Sequence, residues 1–229
     1  MKNTHVTFIL DRSGSMFSIR EQTISGFNNF VIEQKKLEGY ASLSLIQFDD
    51  IDPFEIIEDF TDIQQVKQLD VSVFIPRGNT PLLDAIGKGI SYTEENIKKY
   101  SQNKPVEVDD FDTDSQVELV IFVILTDGQE NSSKEFTKDS ITKLITEKQN
   151  SGWEVIFLGA NMDAVSVGTS MGINFGKSMS FNGTSQLGAT GNAGIVGATY
   201  AMNNMASSLR SGTDYNFTVD DQEKAIKGF

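Results

Sequence analysis

The chain has 229 residues, no cysteine and a formal net charge of −13 at pH 7, from 19 basic and 32 acidic residues. This length suits one domain, with room for an extension, whose core needs no disulfide or structural metal. The negative charge repels phosphate backbones and anionic lipids, which argues against nucleic acid or a membrane as a general partner. With no bilayer-length apolar run, no basic-then-apolar N-terminal segment and no cysteine, the sequence predicts a soluble, cytoplasmic protein.

The first predicted strand, residues 5–10, leads directly into a loop with an Asp-x-Ser-x-Ser pattern. Its polar side chains are those of Asp11, Ser13 and Ser15. Open α/β sheets bind ligands at the carboxyl ends of their strands, so these side chains lie where a binding site is expected. One carboxylate and two hydroxyls are hard oxygen donors of the kind that Mg²⁺ prefers. By itself, the pattern is equally typical of a turn or a helix N-cap.

The following elements alternate between helix and strand. A helix is predicted over residues 18–38, beginning with a capping box formed by Ser18 and Glu21. Its apolar face contains Ile24, Phe27, Phe30 and Val31. A strand is predicted over residues 40–48, and after a turn residues 54–60 predict an antiparallel edge strand.

A second loop contributes another hydroxyl before a helix predicted over residues 82–100. Thr80 precedes Pro81, and proline suits the first position of a helix because its ring fixes a helical φ. Thr80 would also be an acceptable N-cap of this helix without any metal. For Asp84, one turn further on, we predict that the carboxylate braces a neighbouring loop and does not bind a metal.

A third loop follows a strand predicted over residues 117–125. Residues 119–128 form a near-continuous apolar run that ends in Asp-Gly, which is typical of a central parallel strand with a carboxylate at its tip. The run leads to Asp127, which places a second carboxylate at the same edge of the sheet. The polar stretch 101–116 before it contains Asp-x-Asp-x-Asp at residues 110–114. It lacks the Gly and Glu that an EF-hand needs at its sixth and twelfth positions, so we predict a solvated acidic loop.

The rest of the chain continues the alternation and then changes in composition towards small residues. The predicted elements are a helix over 137–150 capped by Thr137, a strand over 153–158, a short helix after 161, an edge strand at 179–181 and a helix over 184–209. Residues 172–178 fall one residue short of a Walker phosphate loop and precede a strand, which argues against a nucleotide site. We predict a domain over residues 1–210 and a tail over 211–229, either mobile or docked.

Together the three loops resemble the metal-ion-dependent adhesion site (MIDAS) of the von Willebrand factor type A (vWA) domain. That family has Asp-x-Ser-x-Ser, then a Thr on a second loop, then an Asp on a third. The matching residues here are Asp11, Ser13, Ser15, Thr80 and Asp127. The order and spacing of elements agree over about residues 4–170, and the chain is most similar to stand-alone vWA domains of bacteria and their phages.

The βα alternation predicts an α/β fold. The resemblance implies a Rossmann-like vWA fold: a mainly parallel sheet of about six strands, one antiparallel edge strand and helices on both faces. It also implies a non-enzymatic module whose five site residues hold Mg²⁺, or Mn²⁺ or Ca²⁺, and whose cation captures an acidic residue of a protein partner. Because only two donors are anionic, the ion stays electrophilic enough to accept an external carboxylate. At the variable positions, we predict that Arg12 and Met16 face the partner, and for His5 we predict a structural role.

Two alternatives from other classes stay open. A metal-assisted phosphatase or other hydrolase would use Asp11 as a nucleophile, but such enzymes often carry a second Asp where Ser13 stands. A structural or assembly protein would instead use the C-terminal helix and tail as its interaction surface. The sequence does not distinguish oligomeric states.

Overall fold

In a computed structural model, one sheet runs through the centre of the molecule. The structure describes residues 1–102, 116–183 and 193–227. Within these ranges the strands are β1 (Thr4–Asp11), β2 (Ala41–Phe48), β3 (Glu55–Asp62), β4 (Leu119–Thr126), β5 (Glu154–Ala160) and β6 (Ser178–Phe181). The helices of the same ranges are α1 (Arg20–Lys35), α2 (Leu82–Gln102), α3 (Lys138–Asn150), α4 (Ala164–Ser170), α5 (Ala193–Arg210) and α6 (Val219–Lys227). Short 3₁₀ segments lie at Gly14–Ile19 and Ile63–Gln65.

The strand order in the sheet is β3-β2-β1-β4-β5-β6. All neighbouring strands are parallel except β2 and β3, which form an antiparallel pair at one edge. This is the Rossmann-like architecture of a vWA domain, and the fold class predicted from the sequence is confirmed. The parallel order brings the carboxyl ends of β1 and β4 side by side, and these ends carry the first and third predicted loops.

Side chains of β1 alternate between two hydrophobic layers because successive residues of a strand point to opposite faces. Phe8 belongs to one layer, where its ring lies 5.4 Å from that of Phe27 and 5.3 Å from that of Phe30, both on α1. Ile9 belongs to the other layer, which includes residues of α2, α3 and α4. Helices therefore cover both faces of the sheet, and the predicted apolar face of α1 is confirmed.

The start of the first helix differs from the prediction. The chain after the first loop forms a 3₁₀ segment, and α1 begins only at Arg20. Ser18 lies inside the 3₁₀ segment, where its Oγ donates to the carbonyl of Ser15 at 3.2 Å. No side chain caps α1, so the predicted capping box of Ser18 and Glu21 is wrong. Because Ser18 is part of the 3₁₀ segment, it does not occupy the N-cap position of α1.

The segment after α5 is docked on the domain as far as the structure describes it. Its helix α6 packs against α5 and β6. The amide of Phe217 donates to the carbonyl of Gly176 at 2.8 Å, and the amide of Asn182 donates to that of Ala225 at 3.0 Å. Two sequence predictions, the acidic loop at 110–114 and the start of the helix predicted from 184, lie outside the described residues. Within them, no helix is both long and apolar enough to cross a membrane.

Candidate metal centre

The site is built at the carboxyl ends of β1 and β4. Asp11 is the last residue of β1, and Thr126 is the last residue of β4. Because Leu10 pairs with Leu125, the next residues of the two strands are also neighbours. The hydroxyl of Thr126 donates to Asp11 Oδ2 at 2.5 Å, which fixes the carboxylate at the sheet edge.

Hydroxyl groups join the two carboxylates. The backbone amide of Ser13 donates to Asp11 Oδ1 at 2.7 Å, which folds the loop back over the strand end. Ser13 Oγ lies 3.1 Å from Ser15 Oγ, and Ser15 Oγ donates to Asp127 Oδ1 at 2.6 Å. The first and third loops are therefore connected through side-chain oxygens.

Thr80 reaches the same place from the second loop. Its backbone is fixed by Asn131, whose side-chain oxygen accepts from the Thr80 amide at 2.9 Å and whose own amide donates to the Thr80 carbonyl at 3.2 Å. A Cβ added to Gly128 would lie 2.9 Å from Thr80 Oγ1, 3.5 Å from Ser15 Oγ and 3.6 Å from Asp11 Oδ2. We call this space in front of Gly128 of the third loop, bounded by oxygens of the first and second loops, the cradle. The structure thus brings the five predicted site residues together.

Burial makes the two carboxylates costly to ionise. Asp11 is fully buried, and this burial raises its pKa to about 6, although hydrogen bonds from Thr126 and Ser13 partly offset the effect. Burial also raises the pKa of Asp127. Neither carboxylate forms an ion pair with any side chain in the described ranges. A buried carboxylate without a cation favours either its protonated form or a bound positive ion.

The donor set decides which ion the cradle suits. Its side chains offer carboxylate and hydroxyl oxygens, which are hard donors that favour Mg²⁺, Mn²⁺ or Ca²⁺ over zinc and copper. No cluster of three or more His, Cys, Asp or Glu that could hold a metal occurs in the described part of the chain. A cation in the cradle would therefore depend on hydroxyl and water oxygens beside two carboxylates. The residues present fit such an ion, and Gly128 leaves the space open for it.

The predicted orientation of Arg12 and Met16 is wrong, because both side chains are buried. Arg12 turns away from the cradle, and its Nε donates to Asp49 Oδ2 at 2.8 Å while Nη1 donates to Glu55. The same oxygen of Asp49 accepts from Arg77 Nε at 2.9 Å. Alternation along the chain explains this: Asp11 points to the edge, so the next side chain points the other way. Arg12 therefore attaches the first loop to the β2–β3 hairpin.

The loop-bracing role predicted for Asp84 is confirmed. Its carboxylate accepts from the backbone amides of Lys134 at 2.8 Å, Glu135 at 2.9 Å and Phe136 at 2.8 Å. These bonds outweigh the burial of Asp84 and lower the pKa of its carboxyl group. A second brace, which sequence reasoning missed, is Glu130, whose carboxylate accepts from the amide of Leu83 at 2.9 Å. Both carboxylates hold α2 against the third loop.

The structural role predicted for His5 is also confirmed. Its ring is buried, lies within 2.8 Å of Ser42 Oγ through Nδ1 and stacks on Phe60 with ring centroids 3.6 Å apart. Since His5 precedes Asp11 by six residues along an extended strand, it lies roughly 20 Å from the cradle. The single histidine of the chain is therefore not part of the site.

Comparisons with known proteins show likeness at the level of fold. No protein-family profile and no curated protein sequence matches the chain. Proximal thread matrix protein 1 from the mussel byssus superposes with a TM-score of 0.55 at 12% identity, over 90% of this chain and 46% of that one. The pilus adhesin SpaC from Lactobacillus rhamnosus GG, in its open conformation, gives 0.57 at 14% identity, over 92% and 30%. The VWA domain of SpRpn10 gives 0.46 at 10% identity, over 86% and 95%.

The chain spans less than half the length of the first two of these solved chains. At such low identity the similarity concerns the fold alone. The assignment of individual ligands depends on the geometry of the cradle and on the resemblance of its three loops to a MIDAS.

Proposed function

We propose that this protein is a metal-dependent protein–protein interaction module. A divalent cation, Mg²⁺ or else Mn²⁺ or Ca²⁺, is held by Asp11, Ser13, Ser15, Thr80 and Asp127, and it binds an acidic residue of a partner. The observation that carries the proposal is the cradle, where oxygens of Asp11, Ser15 and Thr80 border a space that one Cβ would fill. Ser13 and the half-buried Asp127 join this group through hydrogen bonds to Ser15.

Each group in the cradle has a distinct task in this proposal. Asp11 and Asp127 supply negative charge, directly or through water, while the hydroxyls supply neutral oxygens. Mg²⁺ requires nearly octahedral coordination and usually keeps several waters, one of which an external carboxylate can displace. Thr126 and the amide of Ser13 hold Asp11 in place, so the site needs little rearrangement to receive the ion.

The surroundings of the cradle suit a protein partner. Large apolar side chains are exposed on neighbouring loops, with 69% of Phe17, 66% of Ile51 and 50% of Ile75 accessible. The amide of Gly14 donates to the carbonyl of Gly78 at 3.0 Å, which brings two of these loops together. Exposed apolar side chains grouped near a polar site are typical of interaction surfaces. The similar fold of a pilus adhesin and of a byssus matrix protein agrees with an interaction role.

Thermal unfolding with and without Mg²⁺ tests the metal site. An ion that binds only the folded state stabilises it, by about 2.7 kcal/mol when its concentration is 100 times Kd. For a chain of this size, that stabilisation is a rise of roughly 5–10 °C in melting temperature. Asp127→Ala and Gly128→Ala should lose this rise, the first through lost charge and the second because its methyl group fills the cradle.

Two controls separate binding from screening of the −13 charge. Glu95→Ala removes the same charge as Asp127→Ala from an exposed position on α2 and should keep the full Mg²⁺ effect. NaCl at matched ionic strength should affect all four proteins equally. Equal Mg²⁺ shifts in wild type, Asp127→Ala and Gly128→Ala would refute the metal site.

The proposal does not include catalysis. Phosphatase and ATPase assays with Mg²⁺ and Mn²⁺ test this directly, and metal-dependent turnover that disappears in Asp11→Asn would replace the interaction module by an enzyme. The cytoplasmic location and the bacterial or phage source belong to the proposal as well, on the basis of the sequence alone.

A further inference from the structure

A groove of about 350 Å³ is lined by residues of the third loop, by the first residues of α2 and α3, and by residues of α4 and its flanks. Its apolar lining comes from Leu82, Leu83, Met162, Val167 and Met171. Gly128 lines the groove and also borders the cradle, so the two are adjacent. Whatever is bound at the cradle therefore has an apolar groove directly beside it.

Two charged residues, Glu130 and Lys138, line the groove, and only Lys138 has a charge that is available to a ligand. Glu130 lines it, but the carboxylate of this residue already accepts from the amides of Leu83, Ser132 and Ser133. Lys138 lines the groove as the first residue of α3, is exposed, and forms no ion pair with a side chain in the described ranges. A positive charge at a helix N-terminus opposes the helix dipole, so Lys138 does not serve the stability of α3.

We propose that the groove binds a large apolar side chain of the partner, next to the acidic residue held at the cradle, and that Lys138 binds a second carboxylate of the same segment. This inference rests on the proposed function and specifies the partner as an acidic segment interrupted by an apolar residue. The volume is near the lower end for ligand pockets, which fits one or two side chains and excludes a large organic ligand.

Charge complementarity supports this occupant. A protein with a net charge of −13 repels an acidic segment over most of its surface. The cation next to Gly128 and the side chain of Lys138 would both supply positive charge beside the apolar groove, where such a segment would carry its carboxylates. A neutral or basic apolar segment would gain nothing from either charge.

The experiment uses the full chain and a display library of seven-residue peptides with a fixed central Asp. Selection is carried out in Mg²⁺ and, separately, in chelator. We expect Mg²⁺-dependent binders enriched in a large apolar residue close to the fixed Asp and in a second Asp or Glu beyond it. The strongest peptide is then titrated by fluorescence polarisation against matched variants.

The variants alter the groove without touching the cradle. Ser170→Trp fills the groove from α4, and Thr169→Trp places the same bulk on the same helix outside the groove lining. Lys138→Glu reverses the free charge, and Lys143→Glu does the same elsewhere on α3. Ser170→Trp and Lys138→Glu should each weaken binding at least tenfold, while the two controls stay within about twofold of wild type.

The outcomes separate the groove from the metal site. Mg²⁺-dependent peptides without an apolar preference, or with affinity unchanged in Ser170→Trp and Lys138→Glu, would overturn the groove and leave the metal-dependent module intact. Selection that gives no Mg²⁺-dependent peptide would overturn both. If Ser170→Trp unfolds, as judged by its melting curve, Lys138→Glu alone decides, since an acidic residue at this helix end favours the fold.

Discussion

At the scale of single residues, burial shifts the pKa values of Asp11 and His5, near the two ends of β1, in opposite directions. Burial raises the pKa of Asp11 to about 6 and lowers the pKa of His5 to about 3. For Asp11, the folded state binds its proton more tightly than the unfolded chain, so stability is present below pH 3.8 and is lost as pH rises through about 6. For His5, the unfolded chain binds the proton more tightly, so stability is lost as pH falls from about 6.5 towards 3.

His5→Gln should expose the contribution of Asp11. In chelator, the variant should be more stable at pH 5 than at pH 7.5 by about 1 kcal/mol, because His5 no longer opposes the raised pKa values of Asp11 and Asp127. In the wild type the opposing effect of His5, about 2 kcal/mol over the same interval, outweighs that of Asp11. Urea unfolding curves at both pH values measure the difference. If His5→Gln were less stable at pH 5 than at pH 7.5, this result would contradict the raised pKa of Asp11.

Asp11→Asn should show the opposite behaviour. Without the buried charge, the metal-free variant should be more stable than wild type at pH 7.5 by roughly 3 kcal/mol, and less stable at pH 5 than at pH 7.5 by about 2 kcal/mol. Mg²⁺ should no longer stabilise it. The measurement is chemical unfolding at both pH values, with and without Mg²⁺, beside His5→Gln. If Asp11→Asn is destabilised at pH 7.5 in chelator, the hydrogen bonds that the Asp11 carboxylate accepts from Ser13 and Thr126 outweigh the cost of its buried charge.

The residue scale also shows what sequence patterns capture. The roles of His5 and Asp84 were predictable because position along a strand or helix fixes what a side chain can reach. The burial of Arg12 was not, because its partner Asp49 lies 37 residues away and becomes adjacent only when the strands pair. The ligand roles of the five cradle residues stay predictions. Their convergence was predictable because the ends of two strands and the loop before α2 lie at the same edge of the sheet.

At the scale of elements, the loop before α2 separates metal binding from helix capping. The helix begins at Leu82, and Thr80 Oγ1 borders the cradle without a hydrogen-bond partner in the described ranges. Thr80→Ala should therefore change the free energy of unfolding in chelator by less than about 0.5 kcal/mol. A lost N-cap would cost about 1 kcal/mol. Stabilisation by Mg²⁺ should fall, because one ligand is removed.

Thr80→Ser is the matched control, since it keeps the hydroxyl and should keep the Mg²⁺ effect. Denaturant melts in chelator and in Mg²⁺ give both quantities for each variant. A loss of about 1 kcal/mol in chelator, together with an unchanged Mg²⁺ effect, would identify Thr80 as a structural residue of α2 and remove it from the ligand set.

Element boundaries show the limits of local patterns. Six strands and the central helices were predictable because each has the apolar period of its type, and Thr137 does cap α3 by accepting from the amide of Ser140. The 3₁₀ segment at Gly14–Ile19 was not, because the path of the chain there is set by contacts of the first loop with Gly78. The helix α6 was missed for a related reason: its few apolar positions become informative only against α5.

At the scale of the whole molecule, α6 is held by close backbone approach to α5. A Cβ added to Gly197 would lie 2.7 Å from the carbonyl oxygen of Lys224, and one added to Gly194 would lie 2.8 Å from that of Ala225. The helix α6 also contacts the end of β6, where the amide of Asn182 donates to the carbonyl of Ala225. Glycine on α5, which lowers intrinsic helix propensity, is therefore required where α6 docks. Whether residues 1–210 form the domain without this segment stays a prediction.

Gly197→Ala tests that docking because the sign of its effect depends on whether α6 is present. In the full chain the methyl group meets the backbone of α6, and overpacking of this kind costs about 1–3 kcal/mol. After deletion of residues 211–229 the contact is gone, and the same substitution should stabilise α5 by up to about 1 kcal/mol through helix propensity. Unfolding free energies of the four proteins form a double-mutant cycle that isolates the coupling. Mg²⁺ should still stabilise the truncated chain, because the oxygens that border the cradle belong to Asp11, Ser15 and Thr80. A cycle without coupling would show that α6 does not pack on α5 in solution, and a truncated chain that folds but no longer responds to Mg²⁺ would make the C-terminal segment part of the metal-dependent function.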